Sequence, residues 1–180
     1  MESSSTKLLS GQKAFEEETF EGLDLDQTQL LDINFENCEF KSCKFNNINL
    51  NGSKLQNVVF EHCKFVGVDF SVISKFLLIE MNFNNCVLEI CTFQGIKLTD
   101  IGFSSSVLKE CDFDRCNLQK VRFHKTELPG TSFINCDLRQ SDFRTASNFF
   151  FDLGLNKVKG AAFSQPEVLS FLSPFGLNIS

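Results

Sequence analysis

The chain has 180 residues, enough for one ordinary domain, with 42% apolar and 22% charged residues, which excludes wholesale disorder. It holds 22 Phe and eight Cys but no Trp or Tyr, so its aromatic positions call for no hydroxyl and suit a dry interior. The formal charge of −6 argues against direct nucleic-acid binding through a basic surface, and no apolar run is long enough for a membrane-spanning helix.

Residues 1–14 are Ser-rich and read as a flexible tail. The opening MESSSTKLLSGQK holds no apolar stretch of secretory type, so the expected compartment is the cytoplasm. From Phe15 onward a five-residue period takes over. Every fifth residue from Phe20 to Phe70 is Phe or Leu: Phe20, Leu25, Leu30, Phe35, Phe40, Phe45, Leu50, Leu55, Phe60, Phe65 and Phe70. Lys75 breaks the series. It resumes at Leu78 and continues through Phe83, Leu88, Phe93, Leu98, Phe103, Leu108, Phe113, Leu118, Phe123, Leu128, Phe133 and Leu138 to Phe143.

Two residues before the centre stands, almost throughout, a small or β-branched residue, and all eight cysteines fall there: Cys38, Cys43, Cys63, Cys86, Cys91, Cys111, Cys116 and Cys136. The position between these two inward sites is mostly polar. Such alternation describes a short extended segment, and the remaining polar or Gly positions suit a tight turn. A helical period fits none of this. The cysteines therefore read as small buried hydrophobes and not as metal ligands or disulfide partners.

The segments C-E-F-K-S-C-K-F-N-N, C-D-F-D-R-C-N-L-Q-K and C-D-L-R-Q-S-D-F-R-T resemble the pentapeptide-repeat proteins. The resemblance spans about residues 18–163 and implies an all-β fold, a right-handed quadrilateral β-helix in which four pentapeptides make one square coil. About six coils spaced by about 4.8 Å then form a rod about 30 Å long. Centres twenty residues apart should stack. If the slip is a three-residue bulge within 71–77, one column reads Phe20, Phe40, Phe60, Phe83, Phe103, Phe123, Phe143, every member Phe.

After the repeats, which end at 163, residues 164–180 form a cap. Ser164 to Glu167 has the form of a capping box, and E-V-L-S-F-L predicts a short α-helix stopped by Pro174 and Gly176. The ending R-T-A-S-N-F…N-K-V-K-G-A-A-F-S…F-G-L-N-I resembles stand-alone bacterial members of the Qnr, McbG and MfpA type. In that group the C-terminal segment makes a two-fold dimer contact, so the resemblance points to Leu169, Phe171, Leu172, Phe175 and Leu177 as homodimer contacts; covering the last coil is the alternative role.

No nucleophile–base–acid set assembles around His62 and His124, and no phosphate-binding glycine motif is present, so the expectation is a protein without catalysis or cofactor. The resemblance implies DNA mimicry toward a type II topoisomerase, DNA gyrase or topoisomerase IV, with quinolone protection as its consequence. The acidic run supports it: between Phe15 and Phe40 stand nine carboxylates and no Lys or Arg, with Glu21, Asp24, Asp26, Asp32, Glu36 and Glu39 as the candidate partner-binding face. Residues 109–145, with seven basic and six acidic side chains, and the lack of a long inserted loop favour the alternative, a rigid scaffold for a different protein.

Overall fold

The computed structural model describes residues 11–74, 79–99 and 101–177. The chain winds as a four-sided parallel β-solenoid of about six coils. Each side is built from strands of two to four residues stacked in register, because a pentapeptide leaves only that many residues between turns. The first side pairs Ala14–Glu16, Asn34–Glu36 and Lys54–Gln56. The second runs from Thr19–Glu21 through Glu39–Lys41, Val58–Glu61 and Met81–Asn84 to Phe103–Ser104. The third joins Asp24–Asp26, Lys44–Asn46, Lys64–Val66, Val87–Glu89 and Val107–Lys109. On the fourth, Asp112–Asp114 pairs with Ser132–Ile134.

Register is twenty residues everywhere except at one step, where Phe60 pairs with Phe83 and Phe65 with Leu88. Three extra residues therefore enter between these coils. The described part of that excursion is a 3-10 turn, Phe70–Val72, capped by the Asp69 carboxylate on the Ser71 amide at 2.8 Å. The expected bulge at 71–77 and the centre at position 78 lie partly outside the described residues.

The repeat centres form the interior. Phe40, Phe60, Phe83, Phe103, Phe123 and Phe143 are all buried, and their rings stack in single file at 4.5–5.6 Å along the second side. Phe163 continues the file at 5.3 Å. Phe70, Phe93, Phe113 and Phe133 stack likewise on the fourth side. The two files meet edge to face across the hollow, as Phe103 does with Phe113 at 6.1 Å, the geometry favoured by the ring quadrupole.

Turns between sides place one residue per pentapeptide in the left-handed region, chiefly Asn, Gln, Ser, Glu, Lys, Arg or Gly. Asn and Gly adopt that region with least strain. Ile90 is the one β-branched residue found there among the described residues.

The C-terminal cap differs from the expected α-helix. Glu167–Phe175 runs as a 3-10 helix entered from Pro166, with Pro174 inside it, and Gly176 closes it at φ 61°. No capping box forms: the Ser164 hydroxyl donates to the Glu167 carboxylate at 3.2 Å, and no side chain accepts a backbone amide at the helix start. Phe171 turns inward against Phe149, Phe151 and Phe163 and lids the last coil.

Candidate functional site

Because consecutive pentapeptides turn a corner, residues neighbouring in sequence point in different directions. The six candidate carboxylates consequently do not share a face. Glu36 stands on the first side, Glu21 and Glu39 on the second, Asp24 and Asp26 on the third, and Asp32 in the turn after the fourth. They make a collar around the first two coils. Two members are partly neutralised, Glu39 by Lys41 at 3.0 Å and Asp24 by Lys44 at 3.3 Å.

The opposite half carries cations. Arg122, His124 and Arg144, with Ser104, Asp142 and Thr145, line an open groove of about 600 Å³ on the second side. Arg139 and Lys159 line a second, with Gln119, Gln140 and Gly160. The hydrogen bond and charge of Arg139 hold the Asp137 carboxyl below its usual range, and Arg144 does the same to Asp142. Both pairs are bidentate, at 2.6–3.0 Å. His62 and His124 are exposed turn residues; His124 Nδ1 lies 3.2 Å from the Thr145 hydroxyl.

All eight cysteines are buried free thiols. Their role exceeds that of small hydrophobes. Cys43, Cys63 and Cys86 stack in one corner, and each donates to the carbonyl of the repeat centre one coil below: Cys43 to Phe20, Cys63 to Phe40 and Cys86 to Phe60, at 3.2–3.5 Å. The Cys43 amide in turn donates to the Cys63 sulfur at 3.4 Å. Ser106, Thr126, Thr131 and Asn156 make the equivalent bonds higher up. Cys91, Cys111, Cys116 and Cys136 occupy the corresponding corner positions on other sides. Nothing in spacing alone separates a thiol chosen for size from one chosen as a donor, but the interchange of Cys, Ser and Thr at this position is the signal that carries it.

The hydrogen bond to Cys43 lowers the Cys63 thiol, and the bond to Cys86 together with burial outweighs it, leaving Cys63 pushed up to about 12. Hydrogen bonding to the stacked neighbour, then burial, raises Cys111 and Cys116. Such thiols stay protonated and inert near neutrality. Among the described residues no three His, Cys, Asp or Glu side chains come together as metal ligands.

The C-terminal end presents apolar surface. Phe150, Leu153, Leu155, Leu169, Phe175 and Leu177 are exposed, and Phe150, Phe151, Leu153, Phe171, Pro174 and Phe175 line a groove of about 440 Å³. Of the five candidate dimer contacts, Leu169, Phe175 and Leu177 stand in solvent and Leu172 is half-buried, whereas Phe171 is interior, since its ring fills the mouth of the last coil.

A rod with a packed apolar interior, charged sides and one apolar end is a repeat solenoid, an architecture that presents extended surfaces for binding. The pentapeptide repeat region profile matches residues 13–74 and 75–143, and the chain belongs to the pentapeptide-repeat family. A trypsin-treated form of QnrB1, a plasmid-mediated fluoroquinolone resistance protein, is similar in fold, with a TM-score of 0.68 and 14% identity over 93% of this chain and 92% of that one. A second trypsin-treated form of QnrB1 gives 0.67 and 15% over 93% and 90%. No curated protein sequence matches the chain. No helix among the described residues is long and apolar enough to cross a membrane.

Proposed function

We propose that this protein acts without catalysis, by presenting its acidic collar to the cationic DNA path of a type II topoisomerase, DNA gyrase or topoisomerase IV. The collar carries the reading. Duplex DNA is negative on every side, and a protein surface built to receive it is correspondingly cationic. Glu16, Glu17, Glu21, Asp24, Asp26, Asp32, Glu36 and Glu39 reproduce that character by facing outward from three sides of the first two coils and from the adjoining turns. Complementary potential of this kind speeds encounter and selects the partner. The likeness in fold to QnrB1 is consistent with the reading and supplies the test of quinolone protection. The work would take place in the cytoplasm, where free thiols persist. The exposed Phe175 and Leu177 end serves as a two-fold homodimer contact, doubling the length of the rod.

The test is a gyrase supercoiling assay with and without ciprofloxacin, titrated with the protein. Inhibition or drug protection at micromolar concentration is expected, and Glu21→Gln/Glu36→Gln/Glu39→Gln should weaken it. No effect on either activity overturns the topoisomerase reading. A rigid scaffold for a different protein is then favoured by the cation-lined groove at Arg122, His124 and Arg144, which no DNA mimic requires.

A further inference from the structure

Ile90 breaks two rules at once. It is a β-branched residue held at φ 56°, where the other turn positions use polar residues or Gly, and its side chain is 61% exposed. Left-handed backbone is a strained state for such a residue, and strain of this kind clusters where function needs it. Ile90 is also not alone. On the third side, outward positions that are polar near the N-terminus become Val66, Val87, Val107 and Pro129 in the middle coils, all half-buried and lying over the stacked strands. Each coil of this side pairs one of these apolar positions with a charged one, Lys64, Glu89, Lys109 and Glu127, and Lys64 bridges Glu89 at 3.3 Å across the strands.

We propose that the third side is a self-association surface, on which a second copy of this chain packs antiparallel. Two-fold symmetry relates the residues of this side to one another. Place a two-fold axis along the strand direction, midway between Leu88 and Leu108. It reverses the order of coils and preserves position within each strand. Val87 of one copy then faces Val107 of the other, and Val66 faces Pro129. Lys64 faces Glu127, and Glu89 faces Lys109. In the two columns beside the strand centres every apolar position meets an apolar one and both charge pairs are of opposite sign, while in the turn Ile90 stands opposite Glu110. The two Ile90 side chains meet diagonally across the axis. Gly67 faces Gly130 in the same turn column. Packing the rods parallel fails, because it lays Val87 on Glu89 and Val107 on Lys109. An isologous contact demands this self-complementarity, and antiparallel pairing supplies it. A contact limited to four coils of one side is small for a stable complex, so the pairing is concentration-dependent.

This surface is separate from the C-terminal end and from the collar, and its test is independent of gyrase. Sedimentation equilibrium of the full chain, up to several hundred micromolar, should show reversible association. Ile90→Asn should weaken it by at least about tenfold, while raising the melting temperature, since Asn accepts the left-handed turn. Lys64→Glu should weaken association too, and Lys64→Glu/Glu127→Lys should restore it. The proposal is overturned if the chain stays monomeric, if Ile90→Asn leaves association unchanged, if the charge swap does not restore it, or if Phe175→Asp alone abolishes it.

Discussion

The Cys63 thiol donates to the Phe40 carbonyl at 3.2 Å while its sulfur accepts the Cys43 amide at 3.4 Å, so one small side chain ties two coils together at a corner. Ser53 makes the same two contacts, to the Leu30 carbonyl and from the Ile33 amide. Cys63→Ser should therefore be nearly neutral. Cys63→Ala leaves a buried amide and carbonyl without this partner and should cost about 1–3 kcal/mol in urea melts. Equal stability of the Ala and Ser variants would refute the bonding role.

Phe103 sits between Phe83 at 5.1 Å and Phe123 at 5.6 Å and touches Phe93 and Phe113 by its edges. A continuous file has no slack with which to fill a hole. Phe103→Ala should cost about 3–5 kcal/mol by denaturant melting. Phe103→Leu should cost clearly less, because Leu fills the third-side centres at Leu88 and Leu108 with equal burial.

The interior was open to reading from the sequence because each inward position recurs with a fixed period, and one observation, the all-Phe column, set the size of the insertion. The surface was not. Glu21 and Asp24 are three residues apart yet occupy different sides, so a run of acidic residues becomes a collar and not a face. The C-terminal residues follow no repeat, and what Phe171 touches depends on the open mouth of the last coil, a tertiary feature without local signature. Ile90 was equally hidden: its φ is fixed by the turn it occupies, and only the turn shows that the residue there is out of place.

Gly52 and Asp32 are stacked one coil apart, and a Cβ built on Gly52, which sits at φ 73°, would strike the Asp32 carboxylate. Gly52→Ala combines this clash with left-handed strain and should destabilise by about 1–2 kcal/mol. Asp32→Gly removes the obstacle while keeping the turn. In a double-mutant cycle the Gly52→Ala penalty should shrink in the Asp32→Gly background. Strictly additive effects would mean that the carboxylate swings aside freely.

Burial holds up the Cys38 thiol, and stacked neighbours together with burial hold up Cys43, Cys63, Cys111 and Cys116, so these five destabilise the fold at alkaline pH. Cys86, Cys91 and Cys136, which hydrogen bonds to stacked neighbours lower, act in the opposite sense. Cys63 is held near 12 in the folded chain against an ordinary value of 9.0, so above pH 9 the unfolded chain releases a proton that the folded chain retains. The sign follows: a proton bound more tightly in the native state stabilises it below the unfolded value, and that contribution is lost as pH rises from about 9 toward 12. Each such thiol contributes a slope of up to about 1.4 kcal/mol per pH unit in that window. Stability measured by urea should be insensitive to these groups between pH 6 and about 8 and fall steeply above pH 9. Cys63→Ser should flatten the fall, since a hydroxyl does not titrate there, while native thiols should stay unreactive toward an aromatic disulfide reagent at pH 8 and react in full in denaturant. Rapid labelling of the native chain at pH 8, or an alkaline slope unchanged by Cys63→Ser, would place the thiol outside the interior ladder.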